Sequence, residues 1–144
     1  MLINLLLGIG AMVLCLFLQS LLLILALRYY RKHLNGIETP SFWASVAVVK
    51  GVMLLLVAGN LLQIALWGAL FMALGEFEQF TEAFYHSAVN FATLGYGDHV
   101  MSEQHKLLGP LEAINGVLMI GISTAALMTT FQDSLRKTLQ TKKE

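Results

Sequence analysis

The sequence predicts an all-α membrane protein with three membrane-spanning helices and one short helix that does not cross the membrane. Of its 144 residues, 57% are hydrophobic and only 12% are charged, whereas a soluble domain carries about 25% charged residues. Three stretches are apolar over the roughly 20 residues that a spanning helix needs. A polar, glycine-rich hexapeptide, TLGYGD, lies between the second and third stretches, at residues 93–98.

The first apolar stretch covers residues 2–27 and contains no charged side chain. It lacks the positive start of a signal peptide and exceeds the roughly 7–15 apolar residues that such a peptide carries. We therefore expect a membrane helix. Its single cysteine, Cys15, cannot form an intrachain disulfide and is interpreted as a small residue that faces lipid or protein. Gly8 and Gly10 are interpreted as small packing residues, since small residues let membrane helices approach closely.

The second and third apolar stretches flank the hexapeptide. The second covers residues 46–74, with Lys50 near one end, where its alkyl stem can lie along apolar surface. The third covers residues 111–131. It follows Pro110, which suits the first turn of a helix because its missing N–H is not needed there. We expect Glu112 in that first turn, where a carboxylate interacts favourably with the helix dipole.

The distribution of lysine and arginine predicts how the chain is oriented, because cytoplasmic loops are enriched in these residues. Only Lys106 lies between the second and third stretches. The other eight lie beside the first loop or after the third stretch, namely Arg28, Arg31, Lys32, Lys50, Arg136, Lys137, Lys142 and Lys143. We expect a multi-pass protein of the cell (inner) membrane with its N-terminus outside and its C-terminus in the cytoplasm.

Other classes of function find no support in the sequence. The formal net charge is zero, so nothing suggests nucleic-acid binding. No nucleophile, base and orienting group fall together and no phosphate loop is present, so we expect neither an enzyme nor a cofactor. The histidines show no metal-ligand spacing. We expect the polar residues of the outer segment to be solvated: His99, His105, Glu76, Glu78, Glu82 and Glu103.

Residues 81–92 predict a short helix before the hexapeptide. Thr81 is the expected N-cap, and four apolar residues recur at helical spacing: Phe80, Phe84, Ala88 and Phe91. A helix of this length extends about 18 Å, too short to cross a membrane. We expect the glycines of the hexapeptide to end it. Non-helical backbone at membrane depth is tolerated only where it is buried in protein or lines a wet cavity, so the hexapeptide is expected to line water or an ion path.

The hexapeptide resembles the selectivity filter of potassium channels, which normally reads T-V-G-Y-G-D. The order of elements is also similar to that family: outer helix, short pore helix, filter and inner helix. The resemblance covers residues 46–131 as a pore module. It leaves residues 1–45 as an additional N-terminal helix with a cytoplasmic loop, and residues 132–144 as a short cytoplasmic tail.

The resemblance implies a potassium-selective channel in the lipid bilayer, with four identical chains around one conduction path. Backbone carbonyls of Thr93, Leu94, Gly95, Tyr96 and Gly97, with the Thr93 hydroxyl, would replace the water shell of potassium ions. Gly95 and Gly97 permit the unusual dihedrals that turn successive carbonyls inward. The side chains of Leu94 and Tyr96 would point away from the ions and brace the filter against the pore helix.

Several residues depart from the family pattern. Leu94 stands where valine is usual, and Ala92 where many members carry a second threonine. Val89 replaces a glutamate that bonds the filter aspartate in some members, so Asp98 is expected to lack that partner. His86 is interpreted either as a packed histidine, which we favour, or as a hydrogen-bond partner of the filter tyrosine, Tyr96. These departures leave open a weakly selective cation channel, or a non-conducting or regulatory subunit of a channel assembly.

Two glycines of the third stretch could serve packing or bending. Gly121 resembles the hinge glycine of the family's inner helix and is the gating-hinge candidate. Gly116 lies more than a turn nearer to the filter, where bending would disturb the ion cage.

Overall fold

The computed structural model describes residues 1–34 and 42–140. Within them the chain forms four α-helices: α1 (Leu2–Leu34), α2 (Phe42–Ala73), α3 (Phe80–Phe91) and α4 (Leu108–Gln140). Three of these, all but α3, are long and apolar enough to cross a membrane. The predicted all-α membrane fold is therefore confirmed.

The long helices extend beyond the apolar stretches. α1 continues through Arg28, Arg31 and Lys32, and α4 continues past Phe131, so most of the expected tail is helical. Lysines at positions 142 and 143 and most of the expected first loop lie outside the described residues.

α3 lies between α2 and α4 because both long helices carry a glycine where α3 contacts them. A Cβ on Gly68 of α2 would stand 3.2 Å from the backbone nitrogen of Phe84 in α3. A Cβ on Gly116 of α4 would stand 2.0 Å from the carbonyl oxygen of Phe91, at the end of α3. Helices in lipid gain little from hydrophobic burial against one another, so close backbone packing of this kind holds them together.

A core of large side chains surrounds these close contacts. Trp67 and Phe71 of α2, Phe91 of α3 and Leu108 of α4 are fully buried. Cys15 of α1 is also fully buried in this core and is a free thiol. Of the two surroundings expected for Cys15, lipid or protein, the structure shows protein.

α1 packs along α2 and α4. Gly8 lies against α4, since a Cβ there would come 2.5 Å from a methyl group of Leu111. Gly10 has nothing within 4 Å of an added Cβ, so its interpretation as a packing residue is wrong within the single chain. Gly10 faces outward on the helix surface, two residues beyond the contact that Gly8 makes.

The beginnings of α3 and α4 differ from the expectation. Thr81 is not the N-cap: Gln79 occupies that position with extended backbone, and its side chain makes no capping bond. The N-cap lies two residues earlier than expected, which places Phe80 in the helix, where its ring centre lies 5.9 Å from that of Phe84. α4 begins at Leu108, so Pro110 does lie in its first turn, but Glu112 lies beyond it and is buried.

We predict that Gly116→Ala strongly lowers the stability of the folded protein, because the added methyl group meets backbone that cannot move without separating α3 from α4. Overpacking typically costs about 1–3 kcal/mol, and a backbone clash belongs at the upper end. Gly121→Ala is the matched control, since an added Cβ there meets nothing within 4 Å. Thermal unfolding in detergent should show a large drop for Gly116→Ala alone. Equal unfolding temperatures for the two variants would contradict the packing of α3 against α4.

Candidate functional site

The TLGYGD segment (residues 93–98) begins where α3 ends, and Thr93 itself ends the helix. The Thr93 N–H donates to the Asn90 carbonyl at 2.8 Å, and the Leu94 N–H donates to the Val89 carbonyl at 2.8 Å. These bonds form a Schellman motif, which requires a left-handed residue at the position of Thr93. Thr93 has φ 58°. The helix therefore ends at Phe91, four residues before the first glycine, and the expectation that the glycines stop it is wrong.

Left-handed backbone recurs at every second residue of the segment. Thr93, Gly95 and Gly97 have φ values of 58°, 61° and 75°. Glycine adopts this region without steric cost, as expected for Gly95 and Gly97. Threonine is strained there, and the sequence analysis did not anticipate this conformation for Thr93.

The carbonyl groups of this segment have no backbone partner. Among the described residues, no backbone N–H donates to a carbonyl oxygen of residues 93–97 outside the helices. Residues 92–100 are all exposed in the single chain. The segment therefore presents a row of free acceptor groups at the surface of one chain, which could bind a cation or donors from another chain.

The side chains of the segment do not pack on α3 of the same chain. Leu94 is 54% exposed and Tyr96 is 66% exposed. The expected bracing by these residues is therefore not formed within one chain. His86 does not hydrogen-bond Tyr96 either: its Nε2 lies 2.9 Å from the Asn90 amide, one turn further along α3. His86 turns this way because its ring is buried against Phe77, at 5.0 Å between ring centres.

Asp98 closes the segment and is bonded to α3. The Tyr85 hydroxyl donates to its Oδ2 at 2.8 Å. This bond lowers the pKa of Asp98 below its ordinary value and raises the pKa of Tyr85. Val89 supplies no carboxylate, as expected, but Asp98 does not lack a partner, since Tyr85 occupies that role. Hydrogen bonds to the ionised form keep Asp98 negatively charged at the end of the segment.

A second hydrogen-bond cluster fixes the loop that follows the segment. Glu76 comes directly after the left-handed Gly75, which ends α2 with φ 76°. Its carboxylate accepts from the Ser102 N–H at 2.7 Å, from the Ser102 hydroxyl at 2.6 Å and from His105 Nδ1 at 2.5 Å. The expectation that Glu76 and His105 are solvated is therefore wrong. Their side chains are only 7% and 13% exposed.

The electrostatics of Glu76 follow from these bonds. Burial alone would raise the pKa of its carboxyl group, but the bonds from Ser102 and His105 lower the pKa below its ordinary value of 4.5. Glu103, which was also expected to be solvated, is exposed and pairs with Lys106 three residues later.

The opposite side of α3 is anchored by a buried polar contact. The Ser87 hydroxyl lies 2.8 Å from the Ile64 carbonyl oxygen of α2 and also contacts the Glu112 carboxyl group of α4. A hydroxyl has one proton and a carbonyl oxygen can only accept, so both contacts are satisfied when Glu112 carries a proton and donates to Ser87. Ser87 and Glu112 are both 0% exposed. The Ser87 side chain therefore links α3 to both α2 and α4.

The arrangement indicates what the site can do. α3 points its C-terminal end, which carries partial negative charge, at the TLGYGD segment. No group of three His, Cys, Asp or Glu side chains within the described ranges could hold a metal ion.

Sequence reasoning missed several residues of the site: Tyr85, Ser102, and the partnered roles of Glu76, His105 and Glu112. Each acts through a contact between residues that are far apart in the chain, and periodicity carries no signal for such pairs. A partial signal existed for Glu76, because it follows a glycine at the end of an apolar stretch, as residues after a helix C-cap do.

Comparison with known proteins gives one match. A family model described as an ion channel matches residues 52–133, more than half of the chain. The matched region begins within α2 and ends within α4, so it contains α3 and the TLGYGD segment. No curated protein and no solved structure matches the chain.

We predict that acid weakens the outer loop through Glu76. Its pKa is lowered in the folded state, so its stabilisation is present above the unfolded value of 4.5 and is lost as the pH falls through the lower folded value. Glu76→Gln should lower the free energy of unfolding by about 1–3 kcal/mol at neutral pH. The difference in the free energy of unfolding between Glu76→Gln and wild type should shrink as the pH falls below the ordinary carboxyl pKa.

Thermal unfolding of both proteins across this pH range tests the prediction. Glu78→Gln is the matched control, since Glu78 is an exposed neighbour two residues away. A stability difference between Glu76→Gln and wild type that stays constant with pH would contradict the assignment.

Proposed function

The chain belongs to the ion channel family, and we propose that it is a potassium-selective channel that conducts potassium passively across the membrane. Membership rests on the match to residues 52–133, and with the three apolar helices it makes the chain an integral, multi-pass membrane protein. Potassium selectivity goes further than the family, and the TLGYGD segment supports it.

The observation that carries the proposal is the left-handed backbone at alternate residues, combined with unpaired carbonyls. A regular strand alternates its carbonyl directions, so its oxygens face opposite sides. Left-handed residues at positions 93, 95 and 97 break this alternation and allow successive oxygens to face one side. Rings of such carbonyls replace the water shell of a permeating ion. The Thr93 hydroxyl adds an oxygen at the inner end.

Four chains complete the site in this proposal. One chain supplies oxygens on one side of an ion, and an ion stripped of water needs them on all sides. Closed cyclic symmetry of identical chains provides this arrangement. Exposure of Leu94 and Tyr96 fits the same proposal, because side chains unpacked in one chain are available to pack on the neighbouring α3.

Charge around the segment favours cations. The negative end of α3 points at the inner part of the segment, and Asp98, held in its ionised form by Tyr85, lies at its other end. With the orientation that the lysine and arginine distribution predicts, Asp98 faces the outside and residues after Phe131 face the cytoplasm.

A weakly selective cation channel is the second candidate, and exposure of Leu94 favours it. Leucine lacks the β-branch that restricts the usual valine, and the Leu94 side chain is 54% exposed in the single chain. A non-conducting subunit would share the fold but carry no current alone. Ion flux through the purified protein separates this alternative from both channel proposals.

The inner helix contains the proposed gate. Gly121 is exposed, and a Cβ added there would have nothing within 4 Å. The space beside Gly116 is occupied by the backbone of α3. A glycine inside a helix costs about 1 kcal/mol relative to alanine. Packing within the chain accounts for Gly116 but not for Gly121, so we assign the hinge of α4 to Gly121.

We predict that Gly97→Ala abolishes potassium-selective flux. The reason is backbone strain rather than a clash: Gly97 has φ 75°, and an added Cβ meets nothing within 4 Å in the single chain. Left-handed backbone costs a residue with a Cβ about 1–2 kcal/mol, and four chains would bear that cost in one ring. Flux of potassium and sodium into proteoliposomes measures the effect.

Gly10→Ala is the matched control, since it adds the same methyl group at an exposed helical position. Native mass measurement should show four chains for wild type and for both variants. Selective potassium flux through Gly97→Ala would contradict the assignment of the segment, and a stable monomer or dimer as the only species would contradict the four-chain site.

A further inference from the structure

α1 lies outside the matched region, yet a polar side chain from it is buried in the centre of the helix packing. Gln19 is 1% exposed, and it contacts Gln63 of α2, which is 0% exposed, and Ser123 of α4, which is 7% exposed. Uncompensated amides are costly in a membrane, so a buried glutamine pair calls for an explanation beyond space filling.

The hydrogen bonds of this cluster form a chain in which each side chain donates to the next, from Gln63 through Gln19 to Ser123. Gln63 Nε2 donates to Gln19 Oε1 at 2.7 Å, and Gln19 Nε2 donates to the Ser123 hydroxyl oxygen at 2.8 Å. The Ser123 hydroxyl then has its own proton for the Met119 carbonyl at 3.0 Å or the Asn60 side chain at 3.3 Å. Gln19 is the member that uses both ends of its amide, so its loss removes the hydrogen bonds to Gln63 of α2 and to Ser123 of α4 together.

α1 contacts α4 on both sides of Gly121. Towards the N-terminal end of α4, Gly8 packs against Leu111. Towards its C-terminal end, Gln19 bonds Ser123, two residues after Gly121, and the Tyr30 hydroxyl donates to Asp133 at 2.9 Å.

The outer end of α1 is also fixed, since the Asn4 amide donates to the Gln104 carbonyl at 2.5 Å in the loop before α4. A straight helix bonded to another at levels above and below one point opposes bending at that point. Bending α4 at Gly121 would carry Ser123 and Asp133 away from α1 while Leu111 stays in place.

We propose that α1 is a brace on the inner helix, with Gln19 as its central positioning residue, that holds α4 unbent and disfavours opening of the pore at Gly121. The proposal rests on the proposed channel function and on Gly121 as the hinge. It assigns a role to the additional helix: α1 sets the balance between the unbent, closed form and the bent, open form.

The brace acts through polar contacts because no water is available to replace them at this depth. When α4 bends, the amide of Gln19 loses its acceptor and stays unpaired in an apolar environment. One interhelical hydrogen bond in a membrane protein shifts an equilibrium by about three-fold to ten-fold. Removing the Gln19 amide should shift the open-to-closed ratio by this amount towards opening.

Gln19→Met tests the proposal, since methionine keeps the length and flexibility of glutamine and removes its amide. Ser20→Ala is the matched control: Ser20 is exposed, and its hydroxyl bonds only Leu16 in its own helix among the described contacts. Single-channel recording in planar bilayers should show a several-fold higher open probability for Gln19→Met and an unchanged one for Ser20→Ala. Equal open probability in wild type and Gln19→Met would overturn the brace.

A double variant tests whether the brace acts at Gly121. The Gly121→Ala substitution stiffens α4 and should lower the open probability by itself. It should also cancel most of the increase caused by Gln19→Met. If Gln19→Met/Gly121→Ala opens as often as Gln19→Met alone, the brace does not act through bending at Gly121 and the proposal fails.

A distance measurement judges the brace without any ion flux. Spin labels at Leu25→Cys of α1 and Leu135→Cys of α4, both exposed positions, are introduced in a Cys15→Ala background and diluted with unlabelled chain. The distance distribution should be narrow with Gln19 and should broaden or shift with Gln19→Met. If the wild-type protein carries no current, the channel proposal fails, but the distance measurement still tests whether α1 acts as a brace. Identical distributions with and without the Gln19 amide would overturn it.

Discussion

Backbone carbonyl groups at membrane depth need a partner, and this requirement explains the organisation of the chain. α1, α2 and α4 satisfy it within themselves. Residues 93–97 do not, since no backbone N–H among the described residues donates to their carbonyls outside the helices. A protein keeps such a segment only where something else binds its oxygens. In the proposed channel, permeating ions and the geometry of four chains meet that need.

The rest of the fold places this segment and holds it. Gly68 and Gly116 let α3 approach two long helices closely, and Ser87 contacts both through Ile64 and Glu112. α2 and α3 end in the same way, with a left-handed residue at Gly75 and at Thr93. The end of α2 at Gly75 places Glu76 against the loop that follows the segment. The end of α3 at Thr93 is the first residue of the segment. Helix ends, rather than strands or long loops, therefore shape the site.

Composition and hydrophobic patterning were sufficient to predict the three long helices, the short helix and the order of elements, because each depends on local residue type. Left-handed or otherwise unusual dihedrals at Gly95 and Gly97 were predicted from the resemblance of the hexapeptide to a potassium filter. Positive φ at Thr93 was not predicted, since nothing in its residue type favours it; its conformation follows from the helix end that it forms. The bonds of Tyr85 to Asp98 and of Glu76 to Ser102 join residues 13 and 26 positions apart, a relation that only the folded packing determines. Glu112 was placed in a first turn by counting from the apolar stretch, and the helix in fact starts three residues earlier, at Leu108.

The central claim is that the left-handed TLGYGD segment selects potassium. The most direct measurement is the reversal potential of the purified wild-type protein in planar bilayers with potassium on one side and sodium on the other. The account predicts a current whose reversal potential lies far towards the equilibrium potential of potassium and moves with the potassium gradient. A reversal potential near zero under these conditions would contradict potassium selectivity, and the absence of current would contradict conduction by this chain alone.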